Sequence, residues 1–191
     1  MKRAAAVAAA ALLTFVSSPS RAADSEQGPL YVQGSVGISF WDFPNRSFLG
    51  VALGGYAWTG FDPSIEVGYH ISGRHDGFVV GLRQSFVITA IGYTGAAAGT
   101  TIARIGYDVP LKLDKVEVNI DPFATVGAGY IFDYAHAGIT STGGIDVKVF
   151  FAKGIYAFAR PAELGIQCFE DTGTCAFAYL AAVGAGFAFG Q

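Results

Sequence analysis

The sequence predicts an all-β fold: a closed antiparallel up-and-down transmembrane β-barrel of eight strands, with ten strands as the alternative. Bulky apolar and small residues alternate at every second position in many segments, which is the pattern of strands with two different faces. Hydrophobic residues make up 52% of the chain and charged residues only 14%, against about 25% in soluble domains. Beyond the N-terminus, no run of eighteen apolar residues lacks both glycine and charge, so helical spanning is not expected.

The N-terminal segment has the pattern of a secretory signal peptide. Lys2 and Arg3 precede an apolar run at 4–16, and mostly small residues, with Arg21 among them, follow at 17–23. A positive start, a short apolar segment and small residues before a cleavage site define this class. A buried soluble helix is the alternative interpretation.

Cleavage is expected after Ala22, with the bond after Ala23 as the alternative, so that residues 1–22 are the signal peptide and residues 23–191 form one outer-membrane barrel domain. Removal of the signal takes away three of the twelve basic side chains and leaves nine against fifteen acidic ones. The mature chain is therefore acidic and lacks the Lys/Arg clusters that neutralise phosphates. Nucleic acid is not expected as a partner.

Eight strands are predicted from the alternation of apolar with polar or small residues. They cover residues 30–40, 47–58, 64–71, 77–91, 101–109, 116–132, 144–158 and 177–189. In the first, Val36 and Ile38 oppose Ser35 and Ser39, so one face suits lipid and the other the lumen. The second is rich in glycine and less clearly two-faced, and turns are predicted around it at 42–45 and 59–63.

The third strand shows the clearest alternation in the middle of the chain. Ile65 and Val67 oppose Glu66 and His70 in the third strand, whose polar face must point inward. The fourth places Arg83 inward, with Gln84 as a polar misfit on the apolar side. A linker of small residues at 93–100 is predicted to follow.

The next three strands carry further inward charges. Arg104 and Asp108 face inward in the fifth strand, which a turn at 110–115 follows, and Asp121 stands at the start of the inward face of the sixth. In the seventh, Asp146 and Lys148 point inward, which would turn Lys153 toward lipid. Because a lysine costs about 2–4 kcal/mol at the bilayer midplane and little near an interface, we expect a bulge or a rim position there.

The last predicted strand follows a long loop. Residues 159–174 are expected to form the longest exposed loop of the barrel. Cys168 and Cys175, the two cysteines of the chain, are close in sequence. In an exported protein such a pair is expected to form a disulfide that staples this loop. A redox or metal site is the alternative, but neither a CxxC spacing nor a nearby histidine supports it.

Two segments resemble strands of small bacterial outer-membrane barrels, the family typified by the transmembrane domain of outer-membrane protein A. They are the run from Asp121 to Tyr130 and the terminal run 184–189. In that family a final aromatic residue is recognised by the barrel-assembly machinery, and Phe187 with Phe189 would match it, although Gly190 and Gln191 follow here.

The resemblance also implies a location. It implies the outer membrane of a Gram-negative-type bacterium, with outer-membrane lipid and lipopolysaccharide as surroundings. Short turns would lie at the periplasmic side and longer loops outside, which would place 159–174 at the cell surface.

The inward charges form a predicted lumen charge network of Glu66, His70, Arg83, Arg104, Asp108, Asp121 and Lys148. An eight-stranded barrel is only wide enough inside for side chains, and buried charges must be paired. We therefore expect a lumen plugged by salt bridges, with Arg83 and Arg104 holding carboxylates. A narrow channel or small-molecule transport barrel is the alternative, and it would need a polar path past Phe123 and Phe150.

A third possibility is a lipid A-modifying enzyme, an acyl hydrolase or transferase. Glu66, His70 and Ser72 share one strand face, and a histidine, a serine and an acid can together activate a hydroxyl. However, six residues of strand span about 20 Å, too far for Glu66 to orient His70. We therefore expect no enzyme, no cofactor and no metal, and a structural or surface-interaction role.

Overall fold

The strands close into one antiparallel barrel. The structure is a computed structural model that describes residues 29–42, 47–48, 51–52, 58–73, 76–91, 94–113, 116–132, 136–170 and 175–189. Its strands are β1 (Leu30–Asp42), β2 (Ser47–Phe48), β3 (Val51–Ala52), β4 (Trp58–His70), β5 (Gly77–Ile91), β6 (Thr94–Leu113), β7 (Val116–Ile131), β8 (His136–Ala152), β9 (Ile155–Phe169) and β10 (Cys175–Phe189). β1 and β4–β10 pair in chain order, and β1 also pairs with β10 to close the ring. β2 and β3 form a separate small hairpin. The predicted eight-stranded barrel is confirmed.

The two ends of the barrel differ in what they carry. Leu30 and Phe189, which begin and end the barrel, lie at the same end as the β4–β5, β6–β7 and β8–β9 connections. We call this the terminal end. The other four connections lie at the opposite, loop end, where the connection at 43–57 contains the β2–β3 hairpin. The β8–β9 turn is only Lys153 and Gly154, and the φ of +73° at Gly154 favours glycine there.

The outer wall is apolar around the whole circumference. Each barrel strand exposes at least one large aliphatic side chain, and the most exposed one on each strand ranges from 50% exposed at Val183 to 60% at Leu164. A continuous apolar wall of this kind is unfavourable in water, and the closed ladder satisfies the backbone polar groups that lipid cannot. The wall therefore faces acyl chains, which is the reverse of a soluble ligand-binding barrel. Among the described residues, no helix has the length and apolarity to cross a bilayer.

The orientation of the wall can be tested with Leu82→Arg. Leu82 is 53% exposed near the middle of β5, so the substitution should lower the free energy of unfolding in lipid by about 2–4 kcal/mol. Leu113→Arg is the control, because Leu113 ends β6 near the interface, where the cost falls to about 0–1 kcal/mol. Urea titration in lipid vesicles measures both. Equal losses for the two variants would contradict a membrane-spanning wall.

Several predicted boundaries in the first half are wrong. The predicted strand at 47–58 is not a barrel strand: it contains the β2–β3 hairpin, and residues 49–50 and 53–57 lie outside the described part. The predicted turn at 59–63 belongs to β4, and the predicted linker at 93–100 belongs to β6 from Thr94 onward. Of the predicted turn at 42–45, Asp42 ends β1 and the rest is outside the described residues. By contrast, the strand predicted at 77–91 is β5.

Prolines caused several of these wrong boundaries, because proline usually ends a strand. In this barrel the prolines at these boundaries each lie within a strand, at a place where the regular ladder of hydrogen bonds is interrupted or ends. The β4–β5 ladder has no pairs at Asp62 and Pro63, where proline has no N–H to donate. Pro110, in the predicted turn at 110–115, continues β6 beyond its last pair with β5 at Asp108, so the β5–β6 ladder requires no N–H from it. Pro161 lies in a bulge of β9.

The second half contains the largest correction. The predicted strand at 144–158 combines the end of β8 with the start of β9, because the two-residue turn at Lys153 and Gly154 left no clear signal. Lys153 lies in this turn and is exposed, which confirms the predicted rim position. The predicted loop at 159–174 is wrong for most of its length: β9 continues to Phe169.

Candidate functional site in the barrel lumen

The residues of the predicted charge network all point into the lumen and are at most 3% exposed. They are Glu66, His70, Arg83, Arg104, Asp108, Asp121 and Lys148. They come from β4, β5, β6, β7 and β8, and the period-two alternation of each strand directs them inward. Their contacts form three groups, which follow one another along the barrel axis.

The central group surrounds Arg104. Its Nη1 donates to Glu66 Oε1 at 3.1 Å and to Asp146 Oδ2 at 2.9 Å, and its Nη2 donates to Asp121. Tyr31 donates its hydroxyl to Glu66 Oε1 at 2.6 Å. One guanidinium therefore holds carboxylates from three different strands, in the planar geometry that suits arginine.

The group toward the terminal end surrounds Lys148. Its Nζ donates to Asp108 at 2.8 and 3.0 Å and to Asp121 at 2.8 Å. Nε2 of His70 lies 2.7 Å from the same Asp108 carboxylate, and its Nδ1 lies 3.2 Å from the Pro29 carbonyl oxygen. The group thus connects β4, β6, β7 and β8 and also contacts the segment that enters β1.

The group toward the loop end joins β5, β8 and β9. Arg83 donates to both oxygens of Glu163, to which Arg160 donates at 3.1 Å and Thr142 at 2.5 Å. Arg160 also holds Asp146 through two bonds of 2.7 and 2.9 Å. Arg160 therefore connects this group to the central one.

The sequence reasoning missed Arg160 and Glu163, which it placed in the loop at 159–174. Residues three apart on a regular strand face opposite sides, yet both of these are buried. The cause is a β-bulge: on both neighbouring strands, the register shifts by one residue between Arg160 and Glu163. The extra residue moves the inward face from even to odd numbers. Pro161, within the bulge, was the available sequence signal.

Asp62, predicted in a turn, is a further lumen residue. It is 6% exposed, and it bonds Ser85 on β5. Its Oδ1 has no hydrogen-bond partner among the described residues. Arg83 and Arg160 are the cationic residues whose charges act on its carboxyl group.

An aromatic ring supports the cations at the centre. The guanidinium carbon of Arg104 lies 4.1 Å from the centroid of Phe123, and that of Arg160 lies 4.7 Å from it. At these distances, in a site shielded from water, cation–π attraction adds to the ion pairs. Phe123, considered at first as an obstacle to a polar path, therefore lies at the centre of the network.

Apolar layers lie on both sides of the ionic groups. Toward the loop end, Trp41, Val87, Ile131, Phe169 and Ala176 pack together. Toward the terminal end there are two buried clusters, the first formed by Tyr31, Val79 and Ala188 and the second by Phe150, Tyr156 and Phe158. The ionic groups thus lie between apolar clusters along the barrel axis. No group of three metal-ligating side chains occurs among the described residues.

The three residues considered for acyl transfer have different partners. Glu66 bonds Arg104 and Tyr31, and both ring nitrogens of His70 face Asp108 and the Pro29 carbonyl. Ser72 is exposed and donates to the backbone oxygen of Asp76 at 2.5 Å. The geometry does not support an acyl-transfer site here.

The predicted disulfide is present between Cys168 and Cys175, which face each other on β9 and β10 at the loop end. Replacing both cysteines by serine should lower the free energy of unfolding by about 2 kcal/mol, because the bond closes only a short loop. Urea titration of the oxidised protein and the variant measures this. Dithiothreitol should shift the urea midpoint of the wild type to that of the variant and leave the midpoint of the variant unchanged. Identical midpoints for all samples would contradict the prediction.

The residues of the predicted assembly signal lie on the outer wall at the terminal end. Phe187 and Phe189 are exposed, and their rings stack with centroids 5.7 Å apart and an interplanar angle of 20°. Their recognition by the assembly machinery stays a prediction.

Comparison with known proteins supports the fold. No family model matches the chain, and no curated protein matches it in sequence. It is similar to the crystal structure of Neisserial surface protein A (NspA), with a TM-score of 0.63 and 14% identity over 84% of this chain and 97% of that one. Lower scores relate it to Ail, the attachment invasion locus protein of Yersinia pestis (0.42; 14% identity; 85% and 99% covered), and to the outer membrane protein OprG from Pseudomonas aeruginosa (0.34; 8%; 87% and 99%). The chain has the fold of a small bacterial outer-membrane barrel, and its apolar wall makes it a transmembrane barrel of that type.

Proposed function

We propose that the protein is an integral outer-membrane barrel with a structural or surface-interaction role, whose lumen is plugged by salt bridges and whose loop end is the working surface. One observation carries the proposal: Arg104, Lys148 and Arg160 occupy the centre of the lumen together with their carboxylates, between apolar layers. An ion crossing the barrel would have to displace these pairs. Since each pair compensates the desolvation of its partner, separating them is costly.

Conductance in a planar bilayer tests the plug. The full mature chain, refolded and inserted, should give no current steps above the bare bilayer, while a sixteen-stranded porin in the same membrane provides the positive control. Insertion is verified on the recovered bilayer material by protease resistance. Current steps whose number grows with the amount of inserted protein would overturn the proposal and favour the narrow channel.

The surface role requires the loop end to lie outside the cell. An epitope inserted into the connection at 43–57 should be detected by antibody on intact cells. The same epitope in the β6–β7 connection, residues 114–115, is the control and should be detected only after permeabilisation. The reverse result would place the loop end in the periplasm and exclude it as a cell-surface binding face.

The proposal includes export and assembly. The signal peptide at 1–22, which lies outside the described residues, should be removed. The intact mass of the membrane protein should therefore correspond to a chain that begins at Ala23. Replacing Phe187 and Phe189 by alanine should lower the amount inserted in cells, because the assembly machinery would no longer recognise the last strand. Replacing Phe61, another exposed outer-wall phenylalanine, is the control.

A further inference from the structure

Asp62 differs from the other carboxylates of the lumen because it has no cationic partner. In the part of the chain that the structure describes, the lumen buries six carboxylates, four lysine or arginine side chains and one histidine. Five of the carboxylates bond a lysine or an arginine: Glu66, Asp108, Asp121, Asp146 and Glu163. Asp62, the sixth, has no ion pair with a described residue. The ion pairs therefore leave one carboxylate of the lumen unmatched.

The cations whose charges act on Asp62 are engaged by other carboxylates. Arg83 directs both of its terminal nitrogens to Glu163. Arg160 donates to Glu163 and to Asp146. Arg83 Nε and Asp62 Oδ1, a donor and an acceptor, both lack a hydrogen-bond partner among the described residues, so they do not bond each other. Glu163 also adds a like charge to the surroundings of Asp62.

The neighbouring strands on the other side of Asp62 offer no charge. Asp62 is 6% exposed, and its ladder partner on β1 is Gly37, which in turn pairs with Ala182 on β10. Toward the loop end the lumen is filled by the apolar layer described above. A carboxylate in such surroundings carries a large desolvation penalty, which a carboxyl group avoids by taking up a proton.

A chain of hydroxyl groups can accept a hydrogen bond from the acid form of Asp62. Ser85 on β5 bonds the Asp62 carboxyl group, and Ser85 Oγ lies 2.8 Å from Oγ1 of Thr100 on β6. A hydroxyl group can both donate and accept. Asp62 can therefore donate to Ser85 while Ser85 donates to Thr100. The acid form has a hydrogen-bond partner in place and needs no cation.

We propose that Asp62 is a proton-binding site of the lumen, a carboxylic acid at neutral pH whose hydroxyl group donates to Ser85. The inference rests on the plugged lumen of the proposed function, because a water-filled lumen would solvate an ionised Asp62. A conducting barrel would contradict both. An ionised Asp62 in a barrel that does not conduct would contradict only the proton-binding site.

Infrared spectroscopy of the full mature chain in lipid vesicles tests the protonation state. The wild type at neutral pH should show the carbonyl band of a protonated carboxylic acid, and Asp62→Asn should lower its intensity. Asp108→Asn is the matched control, because Asp108 is also a buried lumen aspartate but is bonded to Lys148; it should leave the band unchanged. An equal band in the wild type and in Asp62→Asn would overturn the proposal.

The pH dependence of stability provides an independent measurement. An aspartate of an unfolded chain releases its proton at about pH 4. Above that pH, and until the folded Asp62 releases its own proton, the folded barrel binds one proton more than the unfolded chain. This proton lowers the free energy of unfolding as the pH rises, and the equilibrium constant for unfolding grows about tenfold per pH unit.

Urea titration of the wild type and of Asp62→Asn over this pH range measures the effect. The contributions of all other groups are common to both proteins, so the ratio of their unfolding constants should change by about tenfold per pH unit. Asp62→Asn should become the more stable of the two as the pH rises, since asparagine holds no proton. A ratio that does not change with pH would overturn the proposal.

A small metal cation on an ionised Asp62 is the alternative occupant, and a change of salt distinguishes it. The proposal expects the same urea midpoint for the wild type in sodium chloride, potassium chloride and choline chloride of equal ionic strength. A lower midpoint in choline chloride that Asp62→Asn does not share would overturn the proton and assign the site to the metal cation.

Discussion

Replacing Arg104 by methionine is expected to lower the free energy of unfolding by about 3–5 kcal/mol, one of the largest effects of any single substitution in this barrel. Arg104 is fully buried and donates to Glu66, Asp121 and Asp146. Methionine preserves much of the volume but leaves three carboxylates around an apolar side chain. Urea titration in lipid vesicles, followed by the mobility of folded and unfolded chains on unheated gels, measures the loss.

A second substitution separates charge from packing. Arg104→Met combined with Glu66→Gln removes one charge of each sign and leaves the Tyr31 hydroxyl an oxygen to bond, so part of the stability should return. Lys153→Met, at the exposed β8–β9 turn, removes a cation outside the lumen and should cost at most about 1 kcal/mol. If the free energies of unfolding of Arg104→Met and Lys153→Met differ by less than about 1 kcal/mol, the lumen pairs do not stabilise the barrel.

Replacing Phe123 by alanine should also cost about 3–5 kcal/mol, since a large buried ring is removed and the structure cannot fully collapse around the cavity. The loss has a second source, because the Phe123 ring faces the guanidinium groups of Arg104 and Arg160. Those cations would lose an attraction that reaches about 2 kcal/mol where water is excluded. The same urea titration measures the change.

Phe123→Leu distinguishes the two sources. Leucine keeps most of the volume but has no π face, so its loss should be smaller than that of alanine and still measurable. A loss for leucine as large as for alanine would show that filling the cavity is unimportant at this position. No loss for leucine would show that the ring acts only by its volume.

Much of the architecture was accessible from the sequence because strand alternation is a local property. Val36 beside Ser35 and Ile65 beside Glu66 determine which face is apolar without reference to any other strand. The inward direction of Arg104, Asp108 and Lys148 follows from the same rule.

Boundaries were less accessible because their signals are weak or ambiguous. Pro63 and Pro110 usually end strands, but here they occur where the ladder needs no donor from them. The two-residue turn at Lys153 and Gly154 has only one glycine to mark it. The predicted number of eight strands is correct because two errors cancel. One predicted strand, at 47–58, is not in the barrel, and another combined parts of β8 and β9.

The sequence by itself determined the class of protein. The chain is rich in glycine and poor in charge, and its strands alternate between an apolar face for lipid and a face with ionic groups for the lumen. Only the tertiary structure decided which ionic groups meet. Arg83 finds Glu163 eighty residues away, because barrel closure and strand register, set by all eight strands together, bring them to one level. The bulge at Pro161 also contributes to this meeting. Its one extra residue reverses the inward and outward faces of the rest of β9, and it thereby directs Glu163 into the lumen beside Arg160.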